Sequence, residues 1–429
     1  MKAMAATSRK TMHSADAISG TKGRLNISGF GPRFGSTKLA AAMTRGALTL
    51  AVLSALLLIA VRPALAQTES VLHSFAQNGT DGYNPYAGLA IDTAGNLYGT
   101  TNVGGASGAG TVFQVTPTGT ETVLQSFGGA KGANPYLSGV VRDKAGNLYG
   151  VTSQGGANGF GTVFKLSPTG TETVLHSFAA DGKDGYRPYA SLAIDTTGNL
   201  YGTTISGGAS SYGTVFKVTP SGTETVLYSF KGGTDGCNPF DAGVVLGKKG
   251  VLYGATSGCG ANAVGTVFKL TRTGAETVLH SFAFDGKDGF NPYAGLVLDK
   301  TTGNLYGTTY YGGASAAGTV FEITPTGAET VLYSFANDGK DGKNPYAGLV
   351  LDKTGNLYGT TNLGGANGLG TAFKITPTGT ETVLHSFAND GTDGFTPYAS
   401  LVLGKRGILY GTTSAGGSLG HGTVFKIVP

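Results

Sequence analysis

Four histidines recur at one point of a repeated segment. His73, His176, His280 and His385 each stand in a Val-Leu-His-Ser-Phe run, where three further copies carry Gln125, Tyr228 and Tyr333. An imidazole can hold a metal ion or move a proton. One histidine per repeat, however, falls on a different unit each time, too far from the next to share either. The reading is amphipathic packing at a rim rather than catalysis. A few residues further on, Asp-Gly-x-Asp-Gly brings oxygen ligands together as Asp181/Asp184, Asp285/Asp288, Asp338/Asp341 and Asp390/Asp393, with Asn78/Asp81 as a variant. Closely spaced carboxylates with glycine for a sharp turn suit Ca²⁺, the one cofactor the residues suggest. The EF-hand spacing and its bidentate Glu are missing, and Asp-Gly is also a common turn dipeptide. The sequence contains no Gly-x-Ser-x-Gly, phosphate-binding loop or His-Glu-x-x-His, so no reaction can be read from it.

The aromatic residues divide into two sets. Four positions are aromatic in every repeat: the residue after the Asn-Pro type turn (Tyr86, Tyr136, Tyr189, Phe240, Tyr293, Tyr346, Tyr398), the Tyr of Leu-Tyr-Gly, the Phe of Thr-Val-Phe and the Phe of Ser-Phe. Seven equal copies suit seven equal interfaces, so all four are expected in the core between repeats. The remainder concentrate in long loops. Tyr83, Tyr186, Phe290 and Phe395 lie beside the Asp-Gly motif; Phe160, Tyr212, Tyr310 and Tyr311 lie near Gly-Gly-Ala. Lys131, Arg187, Asp241 and His421 are unrepeated polar residues in the same loops.

These residues need a scaffold, and the period supplies it. The tyrosine of Leu-Tyr-Gly falls at 98, 149, 201, 253, 306, 358 and 410, a spacing of 51 to 53 residues. Each repeat holds four strand-like segments. In the third these are residues 189–195, 199–204, 213–219 and 224–230, rich in Val, Leu, Thr and aromatics and bounded by turn formers. Two connections are tight and two are long and Gly-rich. A four-stranded meander that must bury both faces on its neighbours predicts an all-β, seven-bladed β-propeller over residues 67–429. The chain enters with a fourth-type segment (Glu69 to Phe75) and ends after a third-type one, so the N-terminal strand completes the last blade. In such a meander both long loop types share one face, around the channel mouth, and the ligand is expected there.

The segments Asn199-Leu-Tyr-Gly-Thr-Thr204, Gly207-Gly-Ala209 and Gly213-Thr-Val-Phe-Lys-Val-Thr-Pro220 closely resemble the GloVer tandem repeat of "choice-of-anchor" bacterial surface proteins. The resemblance covers all seven repeats and implies an exported, propeller-like protein; it brings no established activity. Asp-x-x-Gly-Asn-Leu-Tyr bears a looser likeness to propellers with the NHL pattern.

Composition fits this reading. Gly supplies 74 of 429 residues, charged residues only 13%, and Trp none, which excludes a coiled coil and a charge-driven disordered chain. The formal charge of +5 is local to the N-terminus. Nine of the 30 basic residues and one of the 25 acids precede Gln67, leaving a net −3, which offers no footprint for nucleic acid. Residues 1–66 read as a secretory signal: Arg45, an apolar run from Gly46 to Val61, and Ala64-Leu65-Ala66 before cleavage at Gln67. The segment before Met43 is over-long for an n-region, and Met43 is a candidate true start. No span remains after cleavage. The expected product is a periplasmic or extracellular monomer.

In that oxidising setting the two cysteines, Cys237 and Cys259, flank the open end of the hairpin turning at Gly247-Lys248-Lys249-Gly250 and are expected to pair. The functional expectation is a binding module for a carbohydrate or surface polymer, carried by Tyr83, Phe160, Tyr186, Tyr212, Phe290, Tyr310, Tyr311, Phe395 and His421. The alternatives are a propeller lyase or hydrolase with its site at the channel mouth, or a structural envelope protein.

Overall fold

The computed structural model describes residues 68–429. The signal segment, its Met43 start and the cleavage point lie outside the described residues.

Seven four-stranded antiparallel sheets form the blades of a propeller. In blade 3 the strands run Ala193–Ile194, Leu200–Thr204, Thr214–Val218 and Glu224–Ser229, paired in that order from the axis outward. The seventh sheet is completed by the N-terminal strand Thr68–Ser74, which pairs antiparallel with Thr423–Val428, Thr68 opposite Val428. Among the described residues no helix is long and apolar enough to cross a membrane.

The inner strands are shorter than the sequence suggests, with two paired residues each. Their preceding residues approach the axis too closely for a regular strand. A Cβ on Gly139 would lie 2.4 Å from the carbonyl oxygen of Gly88, and one on Gly348 2.9 Å from that of Gly295. Backbone crowding thus demands glycine at Gly139 and Gly348, while Ser191 and Ser400 fit the same position on other blades.

Blades are joined by phenylalanine pairs. Phe178 of the second blade meets Phe216 of the third edge-to-face at 5.1 Å, and the same pair recurs at all seven junctions, ending with Phe75 on Phe113 at 5.0 Å. Leu175 and Phe178 enter the same core cluster although three residues apart, a spacing that places them on opposite faces of a regular strand. A bulge makes this possible. His176 pairs with Val163 and Val174 with Phe164, leaving Leu175 unpaired, and the shift recurs in every blade. Threonine hydroxyls add polar stitches: Thr203 donates to the Ala242 carbonyl (3.1 Å), and Thr412 to that of Ala87 (3.1 Å), closing the last blade on the first.

The chain direction puts the inter-blade and second-to-third loops on one face and the two short turns of each blade on the other. On the long-loop face five two-residue ladders tie the loop types together, as in Gly185–Tyr186 with Ser206–Gly207. The glycine of each ladder is required by contact: a Cβ on Gly185 would fall 2.0 Å from Thr204 Oγ1, which is itself paired with Thr214 Oγ1 at 2.8 Å.

Candidate functional site: the long-loop face and the channel mouth

The residues after the Asn-Pro type turns do not enter the blade junctions. They form a closed ring about the axis. Tyr86, Tyr136, Tyr189, Phe240, Tyr293, Tyr346 and Tyr398 contact one another in succession at centroid distances of 5.2 to 5.6 Å, mostly edge-to-face, and Tyr398 returns to Tyr86. The reason is topological: this residue enters the inner strand from the long-loop face, where only the axis is near. Of the other repeated aromatics, the two phenylalanines are in the junctions as expected. The Leu-Tyr-Gly tyrosines also pack into the junctions, Tyr149 with Phe178 and Phe216 and Tyr201 against Phe230 and Phe268, at the end nearer the short turns, where Tyr201 donates to Asp195 at 3.1 Å.

Beneath the ring an axial cavity of about 290 Å³ is lined by Leu89, Leu192, Ser400 and Asp241 among others. Asp241 has no side-chain hydrogen bond or ion pair to any described residue. Its carboxyl opens onto this cavity, and burial pushes it well above the usual carboxylate range. Burial likewise raises the Tyr136 hydroxyl to about 12.

From the ring an aromatic track runs outward over the fifth blade. Tyr310 touches Tyr293 (5.3 Å) and Tyr346 (5.9 Å), Tyr311 meets Tyr310 at 4.6 Å, Phe290 stacks on Tyr311 (5.5 Å, 27°), and Phe284 closes on Phe290 at 5.0 Å. Phe284 is 78% exposed and Tyr311 40%. Six large apolar side chains are exposed in the described residues; all but Val428 lie on the long-loop face, including Phe160, Tyr212 and Leu419. The other aromatics singled out from the sequence are distributed around the ring. Tyr83 packs on His421 (5.4 Å) and Tyr186 on Phe160 (5.4 Å), while Phe395 is half-buried against the core of the last junction. The structure thus brings Phe290, Tyr310 and Tyr311 together and leaves Tyr83, Phe160, Tyr186, Tyr212, Phe395 and His421 on other blades. Arg187 and Lys131 are exposed loop residues.

The paired aspartates face different neighbours. Asp181 Oδ1 accepts from the backbone N–H of Lys183 (2.9 Å) and Asp184 (2.8 Å), and these bonds hold its carboxylate below the usual range. Asp285, Asp338 and Asp390 make the same turn. The second aspartate turns toward the preceding strand. Oδ2 of Asp184, Asp288 and Asp393 meets Nε2 of His176, His280 and His385 at 2.9, 3.1 and 2.8 Å, and Asp341 accepts from Tyr333 at 2.8 Å. His73 lies 3.5 Å from Asp81. A glutamate from the outer strand of the next blade completes each group: Glu121 beside His73, Glu224 beside His176, Glu329 beside His280, and Glu69, across the closing seam, beside His385. Burial, and after it the neighbouring aspartate, pushes each of these glutamates up to about 7.

Pairing within repeats carried a readable signal for these groups. Where the histidine position holds Gln125, the following loop has no aspartate, and Gln125 donates instead to Glu172 at 2.7 Å. Phe284 gives no such signal, since a single exposed aromatic looks like loop drift in sequence. Cys237 and Cys259 form a disulfide, Cα–Cα 5.3 Å, where blade 4 has the single bridge Cys237 to Gly258 in place of a ladder.

The short-turn face also carries a cavity, of about 730 Å³, between blades 3, 4 and 5. Asp195, Lys217, Lys248, Arg272 and Lys300 line it. It opens where blade 4 replaces the Asp-x-x-Gly-Asn turn by Gly247-Lys248-Lys249-Gly250, so that Tyr253 lacks the carboxylate that holds Tyr201.

The fold and this site define a seven-bladed β-propeller closed by its N-terminal strand, with an aromatic-rimmed channel mouth. The chain belongs to the Gloeobacter/Verrucomicrobia repeat family, whose pattern matches residues 58–246 and 240–429. Among solved structures it is similar to the extracellular domains of two B. thetaiotaomicron proteins. One is described as a one-component system, BT4673 (10% identity, 84% of this chain and 40% of that chain, TM-score 0.53). The other is described as a hybrid two-component system, BT3049 (12%, 85% and 41%, TM-score 0.54). The chain spans about two fifths of the length of these structures, and at such identity the likeness shows the fold. No curated protein matches the chain.

Proposed function

We propose that this protein is an exported propeller that binds a ligand on its long-loop face, and that the ligand is a glycan or surface polymer. The observation that carries the reading is the continuous aromatic track from exposed Phe284 through Phe290, Tyr311 and Tyr310 to the axial ring. Flat apolar rings set in series suit the apolar faces of successive sugar residues, and a rigid blade under them limits the ordering cost of binding. Export is supported by the signal-like N-terminus and by a disulfide, which persists in oxidising compartments. A glycoside hydrolase would need two carboxyl groups across the scissile bond. Asp241 is alone in the axial cavity.

The test is an array of bacterial and plant polysaccharides probed with the purified chain, alongside Phe284→Ala/Tyr311→Ala and, as a control for the opposite face, Lys248→Ala/Arg272→Ala. Binding lost in the first variant and kept in the second supports the reading. The reverse pattern places the ligand in the short-turn cavity and overturns it.

A further inference from the structure

Four of the seven blade junctions hold an imidazole and two carboxylates drawn from both sides of the junction, with potential ligand atoms within 4.8 Å of one another. Hydrogen bonds inside these groups leave a remainder. Asp184, Asp288 and Asp393 each spend Oδ2 on the histidine and on a backbone N–H, 3.0 Å from Ala179 for Asp184 and 2.9 Å from Ala388 for Asp393, while at Asp81 the Oδ2 takes the Ala76 N–H and His73 Nε2 stays unpartnered 3.5 Å away. The aspartate Oδ1 is buried without a partner in all four groups, and so is Oε1 of the glutamate contributed by the next blade. The aspartate side chains are only 8 to 11% exposed. Unpartnered carboxylate oxygens gathered from two blades are costly unless a proton or a cation joins them.

We propose that the His73, His176, His280 and His385 junctions are sites for divalent transition ions of the Zn²⁺ class, one ion per junction, held by the imidazole Nε2, the aspartate and the glutamate of the following blade. One nitrogen and two carboxylate oxygens form a donor set such ions accept, with a fourth position left for water. Side-chain exposure of 19 to 23% at the histidines leaves a path for the ion. An ion there bonds one blade to the next, including across the closing seam, where Glu69 comes from the N-terminal strand and His385 from the sixth blade.

Two other junctions supply a control within the molecule. Tyr228 and Tyr333 occupy the histidine position and donate to Asp235 (2.6 Å) and Asp341 (2.8 Å), so a tyrosine keeps the hydrogen bond and removes the nitrogen ligand. The experiment titrates the chelator-stripped chain with Zn²⁺ alone by calorimetry and with Co²⁺ by its ligand-field spectrum. The expected result is four equivalents, falling to three in His176→Tyr and to none in the fourfold His→Tyr variant, with the metal-free melt near that of the parent. Glu224→Gln, which leaves the His176–Asp184 bond intact, is expected to weaken one of the four sites by roughly tenfold or more. If the parent takes up neither ion, or the His176→Tyr chain still binds four, the junctions are hydrogen-bond groups and the proposal is overturned.

Discussion

The two faces of the ring close their loops by different means. On the short-turn face side chains do the work. Asp195 accepts from the backbone N–H and the side-chain amide of Asn199, both at 2.9 Å, and from the Tyr201 hydroxyl; Asp92, Asp143 and Asp352 repeat the pattern. On the long-loop face backbone ladders between glycine-bearing segments hold much of the geometry. The consequence concerns availability. A side chain that closes a turn is already committed, whereas a loop closed by its own backbone leaves side chains free to meet something else. Hence the exposed aromatics gather on one face, while the opposite face presents committed tyrosines and aspartates.

The largest expected effect removes both faces together. Deleting residues 68–76 takes away the closing strand and Phe75, whose loss from a core alone costs about 3–5 kcal/mol, and it bares the edge of Thr423–Val428. We expect aggregation or loss of the cooperative melt in calorimetry; an unchanged melt would show that the ring needs no closing strand. Next in size is the blade 4 disulfide, the one covalent tie on the long-loop face. Closing a loop of this length is worth roughly 3 kcal/mol. Reductant, or Cys237→Ser with Cys259→Ser, should lower the melt accordingly. Insensitivity to reductant would mean that backbone pairing suffices there.

The comparison is sharpest in binding. Phe284→Ala/Tyr311→Ala should weaken a ligand found on the array by tenfold or more, about 1.4 kcal/mol, with only a modest change in the melt, because Phe284 is 78% exposed and Tyr311 40%. Tyr310 is less suited to the test, being wedged between Tyr293 and Tyr346.

The smallest effect separates the turn aspartates from the junction glutamates by pH. Burial works against the Asp352 carboxylate, but hydrogen bonds from Asn356 and Thr354 outweigh it and hold the group near 2. Its contribution is therefore present above about pH 4 and is lost as pH falls toward 2. Glu381, facing Asp341 and Tyr333, is pushed up to about 7 by burial first and by Asp341 second. Its carboxyl is protonated in the folded chain where the unfolded chain would ionise, so stability should fall as pH rises from about 4.5 to 7. Thermal melts across pH 3 to 8 should show a maximum on the acid side of neutrality, and Glu381→Gln should flatten its alkaline limb. A slope unaltered by Glu381→Gln would assign that limb to other groups.

Much of the architecture could be read from the period alone. The 52-residue repeat, the four segments per repeat and the phase of the first segment dictate seven blades and their seam, because a strand at Glu69 to Phe75 has one sheet left to complete. Hairpin register likewise placed Cys237 opposite Cys259. The axial ring differs from the expected inter-blade core because repetition shows that a position is structural without showing whether it faces a neighbour or the axis. Tyr86 and Tyr98 look alike in sequence, and only the approach angle of the inner strand separates them. The histidine groups are hidden for a related reason: the distance that matters runs not between copies of one residue but between a histidine, the aspartate eight residues on and a glutamate of the next blade. The track over blade 5 needs Phe284 and Tyr311, neither of them repeated, and a ladder that sets Phe290 opposite Tyr311.

The pairing of Thr68 with Val428 also fixes where the described chain begins and ends. Both ends of the described chain leave side by side from the short-turn face. A tag fused by design to either end of the described chain would therefore emerge at the short-turn face, on the far side of the ring from the aromatic mouth.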